Sequence, residues 1–177
     1  MKTRISLIAL FCALCNIVYA QKTDYSTVDK FDMDRFLGKW YEIARYNHFF
    51  EKNLHGTTAE YSYHEDGMIR VINRGYKHSL DGKLKTAEGK AKFNKNGKPG
   101  QLRVSFFGPF YSDYFVLELD QEHYQYAVIG SSNKKYLWIM SRTPTINDEV
   151  KNKLLYRLKQ RNYNIQKLIW VEQIPYM

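Results

Sequence analysis

The chain has 177 residues, enough for one domain or two very small ones. Hydrophobic residues make up 44% and charged residues 25%, a globular balance that excludes a disordered chain. The formal net charge is +9, but the basic residues are spread along the chain with no arginine-rich block. A solvated surface is the default reading, and attraction to anionic membranes is the alternative.

Residues 1–20 stand apart. Lys2 and Arg4 make a short positive start, residues 5–18 are mostly apolar, and Val18-Tyr19-Ala20 offers small residues where a signal peptidase reads. This predicts a removed signal peptide, with residues 21–177 as the exported domain. The apolar stretch is short for a membrane span, and no other stretch approaches the ~20 apolar residues needed. Both cysteines, Cys12 and Cys15, fall inside it. The exported domain then has no disulfide, no thiolate ligand and no cysteine nucleophile. Neither cysteine follows a small residue, as a lipid-anchored export signal requires. A periplasmic or extracellular protein is expected, with an outer-membrane lipoprotein as the lesser alternative. Without Lys2 and Arg4, 25 basic residues face 18 acidic ones, a net charge near +7. Export argues against nucleic acid as the partner.

From Gly38 to Ile139 short runs of alternating polarity predict an antiparallel meander. The eight runs lie near 39–46, 57–64, 68–76, 84–93, 101–107, 114–119, 124–130 and 135–141. Glu65-Asp66-Gly67, Asp81-Gly82, Asn96-Gly97, Gly108-Pro109 and Ser131-Ser132-Asn133 supply turns between them. The period then changes: Ile146, Val150, Leu154 and Leu158 recur every fourth residue and predict one amphipathic helix, with Thr145 as its candidate cap. A short last strand is expected near 167–171. Eight hairpin-joined strands left as an open sheet would expose two long edges. The predicted fold is therefore all-β: an eight-stranded antiparallel up-and-down barrel with one C-terminal α-helix and a short final strand. Such a barrel has room for side chains or one small ligand.

Two motifs bracket this barrel. Gly38-Lys39-Trp40-Tyr41 opens the first strand, and Trp138-Ile139-Met140-Ser141-Arg142-Thr143-Pro144 closes the eighth. Together with Asn73-Arg74-Gly75-Tyr76 and the run from Val104 to Tyr111, they make the chain resemble the bacterial lipocalins, the branch related to apolipoprotein D. The resemblance runs over nearly all of residues 21–177. It implies that Arg142 lies across Trp40 and closes the barrel floor, a sensible use of a guanidinium on an indole face. The family's middle motif, threonine-aspartate-tyrosine, survives only as Asp120 in Leu119-Asp120-Gln121. The resemblance also implies binding of fatty acids, lysophospholipids or similar amphiphiles inside the barrel, with a role at the bacterial envelope.

With Trp40 and Arg142 at the floor, connections 47–56, 77–83, 108–113 and 130–135 fall at the mouth. They carry Phe49, Phe50, Phe110 and Tyr111 among Lys52, His48, His55, Lys77, His78, Lys134 and Lys135, which suits an acyl chain with an anionic head. Alternation turns Leu102, Val104 and Phe106 inward, and likewise Tyr136, Trp138 and Met140. Ala44 shares the parity of Trp40, and the small Ala87, Gly89 and Ala91 share one face, leaving room inside. The expected ligand contacts are Tyr111, Trp138, Phe106, Ala44, Val104, Tyr136, Met140 and Phe110. Glu42 has the parity of Trp40 and is a candidate buried carboxylate. No catalytic residue, metal ligand or cofactor is expected, because the five histidines show neither ligand spacing nor a triad. A haem carrier using His48 or His55, and a membrane-docking or homodimer module using the mouth phenylalanines, are the alternatives.

Overall fold

The structure, a computed structural model, describes residues 22–174. The expected signal peptide, with Cys12 and Cys15, lies outside the described residues. The elements run α1 (Met33–Phe36), β1 (Gly38–Tyr46), β2 (Leu54–Tyr63), β3 (Ile69–Lys77), β4 (Leu84–Phe93), β5 (Gln101–Phe107) and β6 (Phe110–Leu119). They continue with β7 (Tyr126–Gly130), β8 (Leu137–Ser141), α2 (Asp148–Gln160) and β9 (Leu168–Trp170). Each strand from β2 to β7 pairs antiparallel with its successor, and β1 joins both β8 and β2. The sheet is thus an eight-stranded barrel without a free edge, and β9 adds a ninth strand against β1.

The ninth strand has a definite structural place. Only Gly38–Tyr41 of β1 pairs with β2, and β9 occupies the same edge of β1 from Ala44 to Tyr46. Gln173 Nε2 then donates to the carbonyls of both Glu42 and Thr57, at 2.7 and 2.9 Å. The C-terminal segment satisfies backbone groups where β1 and β2 separate, which buried or half-buried carbonyls require.

Two apolar clusters result. One fills the barrel and takes residues from every wall strand, including Trp40, Tyr61, Val71, Ala91, Leu102, Val116, Ala127 and Met140. The other lies outside the wall beneath α2. There Leu154 and Leu158 bury against Ile43, Ala44, Leu117, Val128, Leu137 and Ile139. The four-residue repeat of the helix exists to cover this patch.

Three details depart from the sequence expectations. The helix is capped by Asn147, whose side chain accepts from Val150 N at 2.8 Å. Thr145 instead accepts, through its carbonyl, from Thr143 Oγ1. Asn caps at least as well as Thr and stands directly before the first helical residue. β6 begins at Phe110, four residues before its expected start, because Gly108-Pro109 forms a tight turn that lets Phe107 pair at once with Phe110. Gly108 takes the left-handed conformation this turn needs, at φ 55. The short helix α1 was not anticipated. Its N-cap, Asp32, accepts from the Asp34 and Arg35 amides.

Candidate ligand-binding site

The floor is built around Trp40, which is fully buried. Its indole donates to the Phe36 carbonyl at 2.8 Å, and α1 exists to bring Phe36 beneath it, with ring centroids 4.8 Å apart. The Arg142 guanidinium carbon sits 3.9 Å from the Trp40 ring centroid. Its nitrogens donate to the carbonyls of Arg35, Lys39 and Tyr124 at 2.7, 3.0 and 3.3 Å. Gly38 adopts φ 90, and a Cβ there would stand 3.5 Å from Arg142 Nη1. Asp120 accepts from the Glu122 and Gln125 amides in the β6–β7 turn. All four motif residues therefore converge on the closed end.

The opposite end is closed by the β1–β2 connection. A bulge between Glu42 and Ala44 shifts the register of β1 against β8. One extra residue reverses the parity beyond it. Glu42 stays inside with Trp40, as expected, and Arg45 turns inward after the bulge. Arg45 Nη1 donates to Glu42 Oε1 at 2.6 Å, and its Nη2 donates to the Glu51 and Leu54 carbonyls at 2.9 and 3.0 Å. A single 3₁₀ turn, Phe49–Glu51, then folds Glu51 into the barrel. Glu51 Oε2 accepts from Trp138 Nε1 at 3.0 Å and lies 3.1 Å from His48 Nε2 and 3.9 Å from Arg45 Nε. Glu42, Arg45, His48 and Glu51 are all buried. Burial and the neighbouring Glu51 push the Glu42 carboxyl well above the usual carboxylate range, while Arg45 pulls the other way. His48 stacks on Phe50 at 4.1 Å, and Tyr136 lies parallel to Trp138 at 5.9 Å.

Of the expected wall residues, Val104, Phe106, Trp138 and Met140 pack into or against the interior cluster. Tyr136 joins them at the rim through its stack on Trp138. Phe110 is 78% exposed at the β5–β6 tip, so it is a rim residue. Two expectations are corrected. Ala44 does not line the interior: the bulge turns it outward, where it is fully buried under α2. Tyr111 does not face the interior either. Ser112 pairs with inward Val104 and Tyr114 with inward Leu102, which turns Tyr111 out. Its ring lies 4.2 Å from Lys92 Nζ, and its hydroxyl is 3.9 Å from the Met68 sulfur. His55 pairs with Glu172, at 3.2 Å.

The interior is well filled. The small residues of β4 do leave space, but Phe106 takes it: a Cβ on Gly89 would meet the Phe106 ring at 2.7 Å. Between Phe36, Tyr61, Val71, Ala91, Leu102 and Tyr114 a void of about 10 Å³ remains, room for about one water. The Tyr61 and Tyr114 hydroxyls bond each other at 2.7 Å, and burial raises both phenols, so this pair stays neutral. A concavity of about 550 Å³ lies on the outer face between the β2–β3 turn and the β5–β6 hairpin. It is lined by Met68, Arg70, Lys90, Phe107 and Tyr111. Arg70 faces out because Ile69 and Val71 on either side of it are buried in the interior cluster. Sequence reasoning missed the Arg45–His48–Glu51 group. A strict alternation through β1 hides it, and no local signal marks the bulge.

Comparison with known proteins agrees with this architecture. Residues 31–173 match the family described as a lipocalin-like domain. The chain is 43% identical over 169 residues to "Outer membrane lipoprotein Blc" of Vibrio cholerae serotype O1, covering 93% of this chain and 98% of that one. It is 47% identical to the protein of the same name in Escherichia coli K12, covering 84% and 82%. It is 33% identical to apolipoprotein D of Rattus norvegicus, covering 82% and 78%. Among solved structures, insecticyanin from Manduca sexta superposes with a TM-score of 0.68 at 24% identity, over 87% of each chain, which speaks to the fold alone. The chain belongs to the lipocalin family, in the company of the bacterial lipocalins, and so to proteins that bind small hydrophobic ligands.

Proposed function

We propose that this protein carries or stores amphiphilic lipids, fatty acids or lysophospholipids, in its barrel at the bacterial envelope, without catalysing a reaction. The observation that carries the reading is the asymmetry of the two ends. One end is shut by Trp40, Phe36 and Arg142, all tied to backbone carbonyls or to one another. The other is shut by one connection, residues 47–53, seated on Trp138 and Tyr136. Lifting that connection and swinging Phe106 off the small residues of β4 would open an apolar space walled by Val104 and Met140.

The energetics suffice. Each buried methylene contributes about 0.8 kcal/mol, so an acyl chain of about twelve carbons offers roughly 10 kcal/mol. Lost ligand and side-chain freedom takes back several kcal/mol, and a micromolar dissociation constant needs about 8 kcal/mol. The rim favours exchange with a membrane. Phe49 and Phe110 are 83% and 78% exposed, Lys52, Lys134 and Lys135 stand in connections at the same end, and exposed apolar tips with cations at the same end suit an anionic lipid surface. We place the protein outside the cytoplasm, in the periplasm or beyond. The names of two relatives keep an outer-membrane lipoprotein as the alternative. Native mass spectrometry of the purified protein, followed by solvent extraction, tests the reading. A stoichiometric fatty acid or lysophospholipid is expected. An empty protein that also refuses added amphiphiles would overturn it.

A further inference from the structure

We infer that Glu51 is an internal stand-in for the ligand's anionic head group, and that Trp138 Nε1 and Arg45 form the donor pair that takes a carboxylate or phosphate when the β1–β2 connection, which carries both His48 and Glu51, lifts. This rests on the carrier reading and gives it a head-group preference.

Three observations point to it. One carboxylate oxygen, Glu51 Oε2, gathers an indole N–H at 3.0 Å, an imidazole nitrogen at 3.1 Å and a guanidinium nitrogen at 3.9 Å. Three nitrogen groups around one oxygen make an anion niche. The niche is imperfectly satisfied by its resident. His48 is buried, with side-chain exposure of 4%, yet neither ring nitrogen makes an aligned hydrogen bond. Finally, the anion arrives together with His48 on a short connection, on one 3₁₀ turn, while its other N–H donors, Arg45 and Trp138, stand on strands β1 and β8. Those two donors are fixed and the anion is the removable part. Arg45 keeps Glu42 as a partner at 2.6 Å after Glu51 leaves, so the guanidinium is never stranded.

An incoming head group must therefore compete with Glu51. Only the fraction of molecules with Glu51 displaced binds, which lowers the apparent affinity by that fraction. Removing Glu51 removes the competition for anionic heads. A loosened connection, by contrast, would favour every amphiphile alike.

The test measures dissociation constants of dodecanoate, dodecyl phosphate and dodecanol by titration calorimetry for the wild type, Glu51→Ala and Trp138→Phe. The readout is the ratio of anion to alcohol affinity. Glu51→Ala is expected to raise it about tenfold, the worth of one charge-assisted hydrogen bond. Trp138→Phe keeps a ring without the N–H and is expected to lower it several-fold. Whichever anion gains more identifies the source as free fatty acid or phospholipid. A ratio unmoved by both substitutions, with all three ligands still bound, would overturn the head-group proposal and leave the carrier standing. Binding of none of the three would overturn the carrier reading, and this inference with it.

Discussion

The Trp40–Arg142 contact at the floor offers a double-mutant cycle with a defined answer. Trp40→Leu removes the ring and its hydrogen bond to the Phe36 carbonyl. A fully buried large-to-small change of this kind costs roughly 3 kcal/mol, and the orphaned carbonyl adds about 1 kcal/mol. Arg142→Met keeps most of the stem but removes the charge and the three bonds to the carbonyls of Arg35, Lys39 and Tyr124. At about 1 kcal/mol for each partly exposed bond, that is roughly 3 kcal/mol. The guanidinium 3.9 Å from a fully buried indole is partly desolvated, so the cation–π contact is worth about 1–2 kcal/mol. That contact is lost in either single variant and can be lost only once. The double variant should therefore be less destabilised than the sum of the singles by about 1–2 kcal/mol. Urea unfolding followed by far-UV circular dichroism measures all four corners. Additivity within about 0.3 kcal/mol would mean that Arg142 acts only as a hydrogen-bonding strut, and the stacking argument would be refuted.

Other consequences are as direct. Ala44→Leu should destabilise by roughly 1–3 kcal/mol through overpacking beneath α2 while leaving amphiphile affinity unchanged; a large loss of affinity with little loss of stability would put Ala44 back inside the barrel. Tyr111→Phe should leave affinity unchanged because that ring lies outside against Lys92 and Met68, whereas Trp138→Ala should weaken binding in the same calorimetric titration. Asp120→Ala should cost about 1–2 kcal/mol, since two turn amides lose their acceptor. Glu42 titrates above its ordinary 4.5 in the folded state. Between that value and its folded pKa the native state holds the extra proton, so this group makes stability fall as pH rises above 4.5. Glu42→Gln should flatten that decline in urea midpoints taken from pH 4.5 to 8; identical slopes for both proteins would refute the assignment.

Much of the molecule was legible before folding because it rests on local periods. Alternation by twos marked the wall strands, turn residues separated them, and a change to every fourth residue marked α2. The floor was legible too, since Gly38, Trp40 and Arg142 stand at the ends of the first and eighth strands and closure of the barrel must bring those ends together. The inward parity of Val104, Phe106, Trp138 and Met140 follows from the same alternation.

What alternation cannot carry is a break in itself. The single extra residue between Glu42 and Ala44 sends Ala44 under the helix and Arg45 into the barrel. That exchange depends on pairing with β8 and on α2 needing small and aliphatic side chains beneath it. The tight turn at Gly108-Pro109 likewise extends β6 and turns Tyr111 away from the interior. The seat of Glu51 on Trp138 joins residues 87 positions apart. The sequence by itself determined the number, order and inner faces of the strands and the closed floor, because those depend on near neighbours and on pattern. Only the tertiary structure decided what fills the mouth, because a bulge and a folded-in loop are set by distant partners competing for one space.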